Sequence, residues 1–143
     1  MPSNLSETAK KLMLENQYNC AQAVFATYCR QTGVGKVDYN TCLKIASAFG
    51  GGIAQTGNVC GALTGALMTL GLKYGSEKWE EVNEVAGNLL NEFKSLNGSV
   101  ICRELINHDL LTDEDIKHAF EKGAFKNCPK FVEDVSIMLE KLL

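Results

Sequence analysis

The sequence predicts an all-α fold: a single-domain helical bundle of about six to eight helices with one glycine-rich loop. Three observations predict it. Only two prolines occur in 143 residues. No segment alternates apolar and polar residues between hairpin signals, as a half-buried strand would. Apolar residues recur instead at three- and four-residue steps, the spacing that lines one face of an α-helix.

The elements follow in order. Residues 3–17 place Leu5, Ala9, Leu12 and Met13 on one face. Asn19 is a suitable N-cap for a second helix, which runs through Ala23, Val24 and Phe25 to a stop at Gly33. Asp38 caps a third over residues 39–49, ended by Gly50-Gly51-Gly52. An irregular loop, a flexible collar, then spans residues 50–59. Cys60 begins a glycine-rich fourth helix that stops near Gly75. Ser76 caps a fifth, with Val82, Val85, Ala86, Leu89, Leu90, Phe93 and Leu96 in one stripe and Asn97-Gly98 at its end. Ser99 opens a short helix through Cys102, Leu105 and Ile106. Thr112 and Asp115 form a capping box ahead of Ile116, Ala119 and Phe120. Cys128-Pro129 opens the last helix, with Pro129 suited to its first position and Phe131, Val132, Val135, Met138, Leu139 and Leu142 inward.

Composition excludes several function classes. Hydrophobic residues make up 45% and charged ones 22%, ordinary for a globular domain over residues 1–143. A net charge of −3 leaves no basic footprint for nucleic acid. The opening residues read as an amphipathic helix rather than a signal peptide, so a cytoplasmic location is expected. Residues 45–72 carry no charge, but the run is broken by Gly50-Gly51-Gly52 and by Gln55, Thr56, Gly57 and Asn58. Its continuous apolar part, residues 59–72, has the length of a buried core helix, so no membrane insertion is expected. The outer glycines of a phosphate loop stand at Gly52 and Gly57, yet Asn58-Val59 occupies the place of Lys-Ser/Thr. No nucleotide is expected. Without Ser–His–Asp, HExxH or paired carboxylates, no hydrolase is suggested either.

Eight of the 13 glycines fall between Gly50 and Gly75 with one cysteine, Cys60, among them. Gly61 and Gly65 give a GxxxG spacing, through which a helix or a bound group can approach closely. Four of the six cysteines sit at expected helix N-termini: Cys20, Cys60, Cys102 and Cys128. Free N–H groups and the helix dipole favour negative charge there, and so lower a thiol pKa. The thiolate is both nucleophile and metal ligand. Cys29 and Cys42 fall inside helices, where packing explains them. The spacing contains no CxxC and no CxxCH, which argues against a zinc ribbon, a thioredoxin-type dithiol and c-type haem. His108 and His118 read as solvated residues.

These stretches resemble the redox-active protein family labelled C_GCAxxG_C_C. The matching residues are Asn19-Cys20-Ala21-Gln22-Ala23-Val24, Phe49-Gly50-Gly51-Gly52, Cys60-Gly61-Ala62-Leu63-Thr64-Gly65, Cys102-Arg103-Glu104-Leu105 and Cys128-Pro129. The likeness covers residues 15–135, and this chain reads CGAxxG where the label reads GCAxxG. The resemblance implies a bacterial or archaeal cytoplasmic protein whose Cys20, Cys60, Cys102 and Cys128 form a redox or metal centre.

Three functions are compatible with this pattern. The first is electron transfer through an iron–sulfur cluster or other soft metal held by the four thiolates, with Gly51, Gly52, Gly61 and Gly65 giving it room and backbone N–H groups. The second is thiol–disulfide exchange by two of the four. The third is a non-catalytic module holding zinc or another soft metal. A redox partner protein and a homodimer are the partners left open, and enzymatic turnover is left open as well.

Overall fold

The computed structural model describes residues 4–33 and 37–143. Eight α-helices account for most of them: α1 (Asn4–Leu14), α2 (Cys20–Tyr28), α3 (Tyr39–Ala46), α4 (Gly61–Tyr74), α5 (Glu80–Asn97), α6 (Cys102–Leu105), α7 (Asp113–Glu121) and α8 (Cys128–Glu140). The only extended pairing among the described residues is an isolated antiparallel bridge between Val59 and Ile101. The all-α class holds.

α2 is the axis of the molecule. Eight of its nine residues are buried. Asn19 and Gln22 close a reciprocal capping box, each side chain accepting the other's backbone N–H at 2.9 Å. Both side chains also reach outward: Asn19 Nδ2 donates to the Ser47 carbonyl and Gln22 Nε2 to that of Leu43, each at 3.0 Å. One four-residue turn, Asn19 to Gln22, therefore starts α2 and ties α3 to it. α4 crosses α2 closely because Gly65 has no side chain. A β-carbon there would lie 2.7 Å from the Ala21 carbonyl oxygen. α1, α5 and α8 complete the main core around Val24, Leu63, Phe93, Val132 and Leu139. The fully buried Tyr28 satisfies its hydroxyl on Glu140 Oε1 at 2.7 Å.

Two smaller clusters flank this core. Ala21, Phe25, Ala26, Cys29, Cys42 and Ala46 knit α2 to α3. Cys102, Leu110 and Ala119 hold α6 and α7 together.

Several boundaries differ from the sequence expectation, each for a local reason. Residue 3 lies outside the described residues, and α1 ends at Leu14, before Gln17, whose φ is +60°. α2 and α3 tighten into 3₁₀ turns over Cys29–Gln31 and Ser47–Phe49 before they stop. Ser76 does not cap α5. Its hydroxyl closes a local turn with the backbone of Lys78, and the helix begins at Glu80 with Glu80 and Glu81 against the dipole. Leu96, expected inward on α5, is 59% exposed. Ser99 stands ahead of α6, accepting the Ile101 N–H at 3.0 Å and donating to Glu104 Oε1 at 2.7 Å. Pro129 occupies the second position of α8, behind Cys128. Thr112 and Asp115 form the expected box, and Gly98 ends α5 in the left-handed conformation at φ +88°.

The largest departure is the collar. It is an ordered turn of left-handed backbone: Gly51, Gly52, Ile53, Ala54 and Gln55 have φ of +59°, +70°, +69°, +49° and +59°. Cross-links hold it, with Ala54 N–H donating to Ala48 O at 2.7 Å, Gly57 N–H to Gly51 O at 2.9 Å and Asn58 N–H to Gly52 O at 2.8 Å. Left-handed backbone costs L-residues about 1–2 kcal/mol each, and β-branched Ile53 is a marked outlier. Strain of this kind persists only where the surroundings over-determine it, and it concentrates at functional sites.

Candidate redox site

The left-handed turn lies beside the four cysteines. Cys20, Cys102 and Cys128 are the first residues of α2, α6 and α8, and Cys60 is the N-cap of α4. All four line one cavity of about 230 Å³. They come from chain positions far apart, yet each is only 5–9% exposed. Their walls are apolar, with Tyr18, Leu105, Phe125 and Phe131 among them, while Phe120, 62% exposed, stands at the mouth.

Within the cavity the four thiols are not equivalent. Cys20 and Cys60 hydrogen-bond each other through their sulfurs. The Cys60 thiol donating to it is the largest influence on Cys20; burial opposes it, and the N–H groups of Gly51, Ala21 and Ala62 add to it. The Cys20 pKa is thereby lowered to about 7. Its anion is held by neutral donors. Cys60 moves the other way, pushed well up by its bond to Cys20, by burial and by the Cys20 charge. Burial, then the Cys20 charge, pushes Cys102 up to about 12. Cys128 is raised by burial first, then by the charges of Cys20 and Cys102. The expectation that helix N-termini lower all four is thus met at Cys20 alone. At Cys102 and Cys128 desolvation outweighs the dipole, and at Cys60 the bond to Cys20 does so ahead of burial.

Each glycine singled out in the sequence has a separate place. Gly61 lines the cavity, and a β-carbon on it would sit 2.5 Å from Cys20 Sγ. Gly51 also lines it and points its N–H at Cys20. Gly52 packs behind the wall, where a β-carbon would lie 2.5 Å from the Asn58 nitrogen and 2.7 Å from Cys102 Cβ. Gly65 is not among the lining residues; its role is the α2–α4 contact described above. The turn's far end holds α6, since Cys102 N–H donates to Asn58 O at 2.6 Å and Arg103 N–H to Gly57 O at 3.2 Å. One strained turn thus presents a donor to Cys20 and fixes Cys102.

Sequence reasoning missed Gln55. Its side chain lines the cavity, and its buried Oε1 has no hydrogen-bond partner. No signal pointed to it, because glutamine has no particular preference for positive φ. The aromatic wall was missed for another reason: Phe131 read as an inward core residue of the last helix, and Phe120 as one of the apolar residues behind the Thr112 capping box. Cys29 and Cys42 form a second, separate thiol pair. Burial first, then its bond to Cys29, raises Cys42 to about 12. Both are fully buried away from the cavity, in the α2–α3 cluster. Neither histidine lines the cavity.

As placed, no group of three or more His, Cys, Asp or Glu side chains among the described residues is gathered closely enough to hold a metal ion. No helix among them is long and apolar enough to cross a membrane.

Fold and site together define a class: helical proteins that gather buried thiols from separate helix starts around one apolar cavity. The family model described as "Putative redox-active protein (C_GCAxxG_C_C)" matches residues 18–142, and the chain belongs to that family. No curated protein and no solved structure matches it.

Proposed function

We propose that the protein is a thiol–disulfide redox protein in which Cys20 is the attacking thiolate and Cys60 the resolving thiol. The observation that carries this reading is the hydrogen bond between the two sulfurs, in a pair whose pKa values are pushed apart. A thiol with a pKa near ambient pH combines thiolate population with nucleophilicity. The Cys20 thiolate attacks one sulfur of a substrate disulfide. The substrate S–S bond breaks, the Cys20 mixed disulfide forms, and the leaving thiolate takes a proton from water. Cys60 then loses its proton to water and attacks Cys20 Sγ, and the second substrate half leaves and is protonated. Two electrons and two protons pass in all.

Trapping tests the roles. With Cys60→Ser, one equivalent of a small disulfide should leave a stable mixed disulfide on Cys20, seen as an adduct mass. With Cys20→Ser the adduct should be lost. An adduct that survives Cys20→Ser at undiminished yield would sink the assignment.

A second reading is favoured by one further observation, that all four sulfurs line the same cavity. Cys20, Cys60, Cys102 and Cys128 would be the ligands of an iron–sulfur cluster or another soft metal, and a cluster would supply one-electron transfer. This reading requires Cys102 and Cys128 to close on the Cys20–Cys60 pair.

A further inference from the structure

We infer that the cavity over the Cys20–Cys60 pair selects a small, uncharged, largely apolar disulfide as the exchange substrate. This rests on the exchange reading above and adds the chemistry of the molecule exchanged.

The first observation is a composition. Among the cavity's lining residues there is no Asp, Glu, Lys, Arg or His. Cysteines, aromatic rings and aliphatic side chains make most of the surface, with the Phe120 and Phe125 rings 5.0 Å apart on one side. A charged group entering such a space gives up its hydration and finds no counter-charge, which is strongly unfavourable. The second observation concerns the nucleophile. The groups that lower the Cys20 pKa are a thiol and three backbone N–H groups, all neutral. There is no cation beside the sulfur to receive an anionic substrate, and the thiolate itself repels one. The third is that Gln55, a lining residue, keeps its Oε1 buried out of contact with the open space, where it offers nothing to a cation. The fourth is size. An apolar cavity of about 150 Å³ takes a benzene ring, so the roughly 230 Å³ here admits one substituted ring or a short aliphatic arm with its sulfur. A peptide disulfide with charged termini does not match this space.

The exchange consumes one substrate disulfide, R–S–S–R, and returns two thiols, R–SH, while the two protein thiols become one disulfide. The S–S bond lost in the substrate is replaced by the one formed between Cys20 and Cys60. No other oxidant enters.

A matched series tests this. 2-Hydroxyethyl disulfide, cystamine and 3,3′-dithiodipropionate share an ethylene arm and end in a neutral hydroxyl, a cation and an anion. Rates of Cys20–Cys60 disulfide formation are measured with each and normalised to its rate with free 2-mercaptoethanol. The neutral compound should lead both charged ones by about tenfold or more, since even 1.4 kcal/mol of uncompensated charge gives that factor. Rates equal within twofold, or a lead for a charged analogue, would overturn the substrate assignment while leaving the exchange reading intact. Failure of all three to form the Cys20–Cys60 bond would overturn the exchange reading itself. Phe120→Lys, at the exposed mouth, should raise the normalised rate of the anion relative to the neutral compound. An unchanged ratio would mean that substrate does not enter through this cavity.

Discussion

In the exchange reading Cys20 is the residue on which the chemistry turns, and its pKa of about 7 has a cause that can be removed. Alkylation of Cys20 by a neutral reagent such as iodoacetamide should rise with pH to a plateau, with its midpoint about 7. Because the thiolate is the reactive form, the rate falls as pH drops through that value and gains little above it. Cys60→Ala removes the largest lowering influence, so the midpoint should move up toward the ordinary thiol range. Cys60→Ser keeps a donor and should move it less. A midpoint unmoved by Cys60→Ala would show that the sulfur–sulfur hydrogen bond does not set the pKa. At this scale the sequence was informative about identity and less so about state. Helix starts marked Cys20, Cys60, Cys102 and Cys128, because capping residues and periodicity are local signals. Which thiol ionises was not legible, since desolvation depends on what packs over it from elsewhere in the chain.

Among the elements, the run from Gly50 to Gly75 divides into a left-handed turn and a helix that two of its glycines seat. Gly65→Ala should destabilise the protein by about 1–3 kcal/mol through overpacking, as its β-carbon would lie 2.7 Å from the Ala21 carbonyl oxygen. Gly71 lies on the same helix with nothing within 4 Å of a β-carbon. Gly71→Ala should stabilise it by about 0.4–1 kcal/mol, by restricting the unfolded chain. Denaturant midpoints for the two variants check the contrast; shifts of the same sign and size would mean that α4 does not pack on α2 as described. The GxxxG spacing made the close approach legible. The left-handed turn was not, because Ile53, Ala54 and Gln55 carry no preference for positive φ and are held there by cross-links from residues 48–52. The same lack of local signal hid Gln55 as a lining residue of the cavity.

For the whole molecule, the cavity lies where the main core meets the small α6–α7 cluster. Cys20 and Cys60 belong to the former and Cys102 to the latter. Helix order and most caps could be read from sequence, but this junction could not, since it joins residues many turns apart in the chain. The junction also separates the two chemical readings. Exchange needs only Cys20 and Cys60, whereas a metal centre needs Cys102 and Cys128 brought against them. Anaerobic reconstitution with ferrous iron and sulfide, read by visible absorption and iron content, should leave the wild-type protein colourless if exchange is its chemistry. A stoichiometric cluster, lost in the Cys102→Ser/Cys128→Ser double variant, would favour the second reading. The exchange claim itself is tested most directly by mapping the disulfide that forms. The wild-type protein is oxidised with one equivalent of 2-hydroxyethyl disulfide, quenched in acid, digested and read by mass spectrometry. The account predicts a single cross-link joining the Cys20 and Cys60 peptides, with the other four cysteines still reduced. A cross-link between any other pair, or none while both thiols are oxidised separately, would contradict it.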